Sequence, residues 1–103
     1  MGKAGAAAAA PTYAAAVILV DPATWPGRGR LWCHVASDTS FEELHAFARR
    51  CGIPERAFER DHYDVPAERR DEVLAAGAVP VRSRELVRQL VAAGLRRPKH
   101  RPA

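Results

Sequence analysis

From Ala16 to Val20 the chain is apolar without a break and β-branched at Val17, Ile18 and Val20, which predicts a short buried strand. Asp21-Pro22 stops it. Trp25-Pro26-Gly27 followed by Gly29 then predicts a long irregular loop. In Leu31 to Ala36, Leu31, Cys33 and Val35 alternate with Trp32, His34 and Ala36, the period of a second strand with two distinct faces.

The period changes after Ser40. Ser40-Phe41-Glu42-Glu43 is a capping box, and Phe41, Leu44, Phe47, Ala48 and Cys51 form one apolar stripe at helical spacing, closed by Gly52 and Pro54. Pro54 to Phe58 reads as a single short turn, and Asp61-His62-Tyr63-Asp64 as a loop. Pro66 suits the first turn of a second helix running to Ala76 and closed by Gly77, with a narrow apolar face of Ala67, Val73 and Leu74. Ala78 to Val81 reads as a strand that Pro80 pushes to a sheet edge. In the third helix Ser83 is positioned to cap, Glu85 complements the dipole, Leu86, Val87, Leu90 and Val91 supply the face, and Gly94 ends it. Strand, helices, strand, helix implies a small single α/β domain: a short, partly parallel sheet with three main helices and right-handed crossovers.

A chain of 103 residues fits one such domain, expected over residues 16–95. Lys3 with Ala6 to Ala10 has the outline of a signal peptide, but Pro11 and Tyr13 interrupt it and alanine makes a weak apolar region. Residues 1–15 are therefore expected to be a disordered alanine-rich extension. No stretch approaches the ~18 apolar residues of a membrane span, so no membrane partner is expected. The two cysteines, Cys33 and Cys51, lack Cys-x-x-Cys spacing and read as reduced thiols of a cytoplasmic protein.

The net charge of +4 points to an anionic partner only until its location is considered. Lys3, Arg96, Arg97, Lys99 and Arg101 account for the excess, so the central domain is near neutral and residues 96–103 are expected to form a basic flexible tail. Nucleic-acid binding is thus only weakly supported, through that tail.

Asp21 follows the first strand directly, where open α/β sheets place their ligands. A carboxylate there can hold a metal, act as a base or cap a turn. His34 and Asp38 stand four apart near the entry to the first helix, with Ser37 between them, and His45 lies at the border of that helix's apolar stripe. Asp61-His62-Tyr63-Asp64 concentrates two carboxylates, an imidazole and a phenol. The candidate catalytic groups are Asp21, His45, His62 and Asp64; Arg30, His34, Ser37, Asp38 and Tyr63 are candidate ligand-binding groups. Asp21, His34, His45, His62 and Asp64 are the residue types that could hold a divalent metal, although their spacing matches no metal motif. Each has a bland alternative as a turn cap, a core histidine or a helix lead-in. Gly27-Arg28-Gly29-Arg30 is a basic, flexible segment able to contact phosphate, without the following helix of a phosphate loop. Cys33 and His34, as neighbours on a strand, face opposite ways, which argues against a thiol nucleophile with an adjacent base.

Val20-Asp21-Pro22, Trp25-Pro26, Gly29-Arg30-Leu31-Trp32, His34, Ser37-Asp38-Thr39, Glu43-Leu44-His45, Asp61-His62-Tyr63-Asp64-Val65, Gly77-Ala78-Val79 and Arg84-Glu85-Leu86-Val87 together resemble the small bacterial and phage proteins grouped as domain of unknown function 4031. The resemblance covers nearly all of residues 17–95 and brings no established activity with it. Arg28 stands where His is expected in that family and Cys33 where many members have Ser, so no role is carried over to either. Two expectations remain. One is a small ligand-binding or hydrolytic domain, metal-assisted, acting on a phosphorylated or nucleotide-like compound and so binding a small anionic ligand. The other is a non-catalytic interaction module whose arginine-rich tail contacts nucleic acid or an acidic partner.

Overall fold

The computed structural model describes residues 16–97. The expected alanine-rich extension, 1–15, and most of the expected tail, 98–103, lie outside the described residues. The remainder is an α/β domain with a mixed sheet. Strand β1 (Ile18–Val20) is the fully buried apolar run. It lies between the long β3 (Arg30–Ser37), antiparallel to it, and the edge strand β6 (Val79–Pro80), parallel to it. Pro80 sits at the sheet edge, as its missing N–H requires.

Two segments expected as loops are paired strands. Trp25–Gly27 forms β2, a hairpin with β3 in which Gly27 faces Arg30. The two-residue connection takes left-handed φ at both Arg28 (49°) and Gly29 (76°), the twist that a tight hairpin needs. His62–Pro66 forms β5, which pairs with β3 and with the short β4 (Phe58–Glu59). Its side chains alternate: Tyr63 and Val65 are buried, whereas His62 and Asp64 are half-buried on the other face. The sheet order is β4-β5-β3-β1-β6, with β2 also on β3.

The capping box forms as expected, the Glu43 N–H donating to Ser40 Oγ at 3.1 Å to start α1 (Phe41–Arg50). The second helix is shorter than its pattern predicts. Pro66 is still extended at the end of β5, a 3-10 turn covers Ala67–Arg69, and α2 is only Arg70–Ala75. Helix α3 runs Ser83–Ala92, and Ser83 is its first helical residue rather than its cap; Arg82 holds the cap position without a side-chain bond. The Ser83 hydroxyl is engaged elsewhere.

Helices α1 and α2 cover one face of the sheet, where Leu44, Phe47 and Val73 pack on Cys33, Val35, Tyr63 and Val65. Helix α3 covers part of the other, with Leu86 and Leu90 against Leu19 and Ala36. Each such side chain contributes roughly 1.5–3 kcal/mol through burial. The alternation of β3 and β5 then decides where chemistry can occur: His34, His62 and Asp64 share the α3 side, beyond the end of that helix's apolar contact. No helix among the described residues is long and apolar enough to cross a membrane.

Candidate functional site

Asp21 follows the last paired residue of β1, and its side chain is only 1% exposed. Burial alone would raise its pKa, but hydrogen bonds from the His34 ring and backbone and from Ser83 outweigh that, and the group lies below its ordinary value. Oδ1 accepts the His34 backbone N–H at 2.6 Å. Oδ2 accepts from Ser83 Oγ at 2.7 Å, His34 Nδ1 at 2.9 Å and Trp25 Nε1 at 3.1 Å. An ionised carboxylate only accepts, so His34 carries its proton on Nδ1 and turns Nε2 outward.

The same construction is repeated one hairpin away. Asp61, 2% exposed, lies in the turn between β4 and β5 and meets His62 Nδ1 at 2.8 Å. Arg96, just past α3, donates to both Asp61 oxygens at 2.7 and 3.0 Å. Burial again opposes ionisation, and the Arg96 and His62 hydrogen bonds again prevail, leaving Asp61 below its ordinary value. His62 therefore also presents Nε2.

Both Nε2 atoms converge on one oxygen. Asp64 Oδ1 is 3.1 Å from His62 Nε2 and 3.8 Å from His34 Nε2, and one ligand atom from each of the three residues lies within 4.8 Å of the others. The imidazoles meet edge to face with centroids 4.8 Å apart. With both Nδ1 protons committed to buried carboxylates, three lone-pair atoms face each other, an arrangement that a shared cation stabilises. Buried acids behind ligating histidines are the usual outer support of a metal centre, and two imidazoles with one carboxylate leave positions open to water or substrate.

The structure divides the sequence candidates. Asp21, His34, His62 and Asp64 come together. His45 and Tyr63 do not join them: they share a 2.6 Å hydrogen bond on the α1 side of the sheet, packed against Phe58. Their separation follows from β5 alternation, which sends Tyr63 into the core and its neighbours to the opposite face. Ser37 is buried and accepts the N–H groups of Thr39 and Ser40 at 2.9 and 3.1 Å, fixing the turn before α1. Asp38 Oδ1 accepts the Val17 N–H at 2.9 Å and the Thr39 hydroxyl at 2.7 Å, both bonds made at the turn before α1. Arg30 is exposed, paired with Glu68 at 2.9 Å. Cys33 faces the core, where burial and the nearby Asp21 charge push its thiol up to about 11, so it has no nucleophilic character.

Trp25, Ser83, Asp61 and Arg96 complete the site and were absent from the sequence candidates. Two of them had a signal. Ser83 opens the helix after β6, the parallel neighbour of β1, so it must emerge beside Asp21. Asp61 adjoins His62. Arg96, expected to begin a flexible tail, is instead drawn back by the turn at Gly94, where the Arg96 N–H donates to Leu90 O at 3.2 Å.

Both buried acids link the site to acid stability. Each has a folded pKa below its unfolded value, so each contributes stability that is complete above the ordinary carboxylate range and is lost as pH falls through the folded pKa. The melting temperature is expected to decline progressively below about pH 5. A melting temperature constant down to about pH 3 would contradict the assignment.

Neither a search of curated proteins nor one of solved structures returned a match for the chain. The model of one family, described as a protein of unknown function (DUF4031), matches residues 18–93 and so takes in every residue of the histidine–carboxylate cluster except Arg96: the chain belongs to that family.

Proposed function

We propose that the protein is a metal-assisted hydrolase acting on a phosphorylated, nucleotide-like compound, with a divalent ion held by Nε2 of His34, Nε2 of His62 and the Asp64 carboxylate. The observation that carries this reading is the convergence of those three acceptors, each histidine being held in one tautomer by a buried aspartate. Three protein ligands leave a coordination position for water, whose ionisation a divalent ion brings near neutrality. Asp21 and Asp61 orient the imidazoles and raise their basicity toward the ion.

Titration of the chelator-treated protein with Mn2+ or Zn2+ by calorimetry is expected to show one ion per chain, and no uptake by His34→Ala or His62→Ala. Release of inorganic phosphate from a nucleotide panel should stop with chelator and return with metal. A wild-type protein that takes up neither ion removes the metal centre; one that takes up an ion but releases no phosphate from the panel removes the hydrolytic role.

A further inference from the structure

A second concavity adjoins the cluster. It is a cleft of about 400 Å³ between the β2–β3 hairpin and the Glu55–Ala57 turn, and Asp64 forms part of its wall. Four guanidinium-bearing side chains, Arg28, Arg30, Arg56 and Arg69, line it against two acids, Glu59 and Asp64. Arg30 and Arg69 are neutralised by Glu68 and Glu72. Arg28 and Arg56 make no ion pair among the described residues.

Arg28 is the more informative of these. It is a non-glycine residue held at a left-handed φ of 49° in the tight β2–β3 turn, a conformation that costs about 1 kcal/mol. Its guanidinium stacks on Trp32 at 4.6 Å from the ring centroid, and that of Arg30 approaches the same ring at 5.5 Å. The indole thus gathers two like charges, of which Arg30 is paired with Glu68 and Arg28 is in no ion pair among the described residues. An anion entering the cleft relieves that repulsion, and planar guanidinium groups suit phosphate oxygens.

Resting on the function proposed above, we infer that this cleft is a second anion subsite taking a phosphate that is not itself cleaved, so that the substrate is a nucleoside di- or triphosphate rather than a monophosphate. Because Asp64 belongs to both the cluster and the cleft, a ligand whose reacting phosphoryl group lies at His34 and His62 continues past Asp64 toward Arg28 and Arg56. Interactions with such a remote group can be used to orient the reacting one.

The test uses the full chain in two settings. In EDTA, where the metal centre takes no part, calorimetry with inorganic pyrophosphate should show binding that weakens with salt, and about tenfold or more in Arg28→Gln and in Arg56→Gln. With Mn2+ present, the ADP analogue with a methylene bridge between its phosphorus atoms, which cannot be hydrolysed there, should bind about tenfold tighter than AMP, the ratio falling toward one in Arg56→Gln while Mn2+ uptake by that variant is unchanged. Equal affinity for the ADP analogue and AMP, or unaltered pyrophosphate binding in both variants, overturns the inference. So does a single-stranded oligonucleotide that binds far more tightly than pyrophosphate and displaces it, which would make the cleft a nucleic-acid contact. Absence of Mn2+ uptake by the wild-type protein counts against the metal centre alone and leaves the EDTA measurement to decide the cleft.

Discussion

Asp21→Ala is expected to destabilise the domain by roughly 3–5 kcal/mol, a large fraction of the total stability of a protein this small. The carboxylate is buried and is the acceptor for four donors from three other residues: the ring and backbone of His34, the Ser83 hydroxyl and the Trp25 indole. Removing it takes the shared acceptor from those donors, most consequentially from the His34 backbone N–H and the Ser83 hydroxyl, and unsatisfied buried groups cost about 1–3 kcal/mol apiece. His34→Ala should cost much less, because Asp21 keeps the Ser83 and Trp25 hydrogen bonds and the vacated side is already open to solvent. The measurement is urea denaturation at neutral pH, comparing midpoints at constant slope. An Asp21→Ala protein within about 1 kcal/mol of wild type would show that the carboxylate is not the keystone of this end of the sheet.

Arg96→Ala is the second large effect. It deprives Asp61 of its only guanidinium partner among the described residues and leaves a carboxylate that is 2% exposed with one imidazole beside it. Breaking a buried ion pair in this way typically costs roughly 3–5 kcal/mol. The effect should extend to metal affinity, since Asp61 is what holds His62 Nδ1, and loss of outer support at metal sites typically weakens binding by about 10–100-fold. Arg96→Lys, which keeps the charge but not the two-pronged geometry, should recover part of the stability and less of the affinity. Destabilisation without any change in Mn2+ affinity would confine Arg96 to a structural role.

The elements with a strong single period were legible in the sequence: β1 from its unbroken β-branched run, α1 from its capping box and stripe, and α3 from its apolar face. Pro80 correctly announced a sheet edge. The two hairpins were not legible, for different reasons. In β2, Trp-Pro-Gly has the composition of a loop, and only pairing with β3 makes it a strand. In β5, the alternation His62, Tyr63, Asp64, Val65 was present in the sequence but was hidden by the density of polar groups, which reads as a turn. That misreading also explains the mixed candidate list. A loop allows Tyr63 and His62 to point together, whereas a strand sends them to opposite faces, placing Tyr63 with His45 and His62 with His34. Asp21 was identifiable by position, but its partner Ser83, like the Arg96 that holds Asp61, comes from the other end of the chain, and proximity of that kind is a property of the folded sheet rather than of any local pattern.

The Asp21–Ser83 and Asp61–Arg96 contacts bridge 62 and 35 positions of the chain, the latter ending just beyond α3. A ribosome synthesising this protein therefore releases both histidine-bearing hairpins well before the groups that lock their supporting aspartates. Until α3 emerges and docks, the nascent product has the two imidazoles and Asp64 but not their fixed orientation. Both imidazoles thus take their final orientation only once α3 and the turn after it have docked, so a change that loosens this one helix disturbs His34 and His62 together.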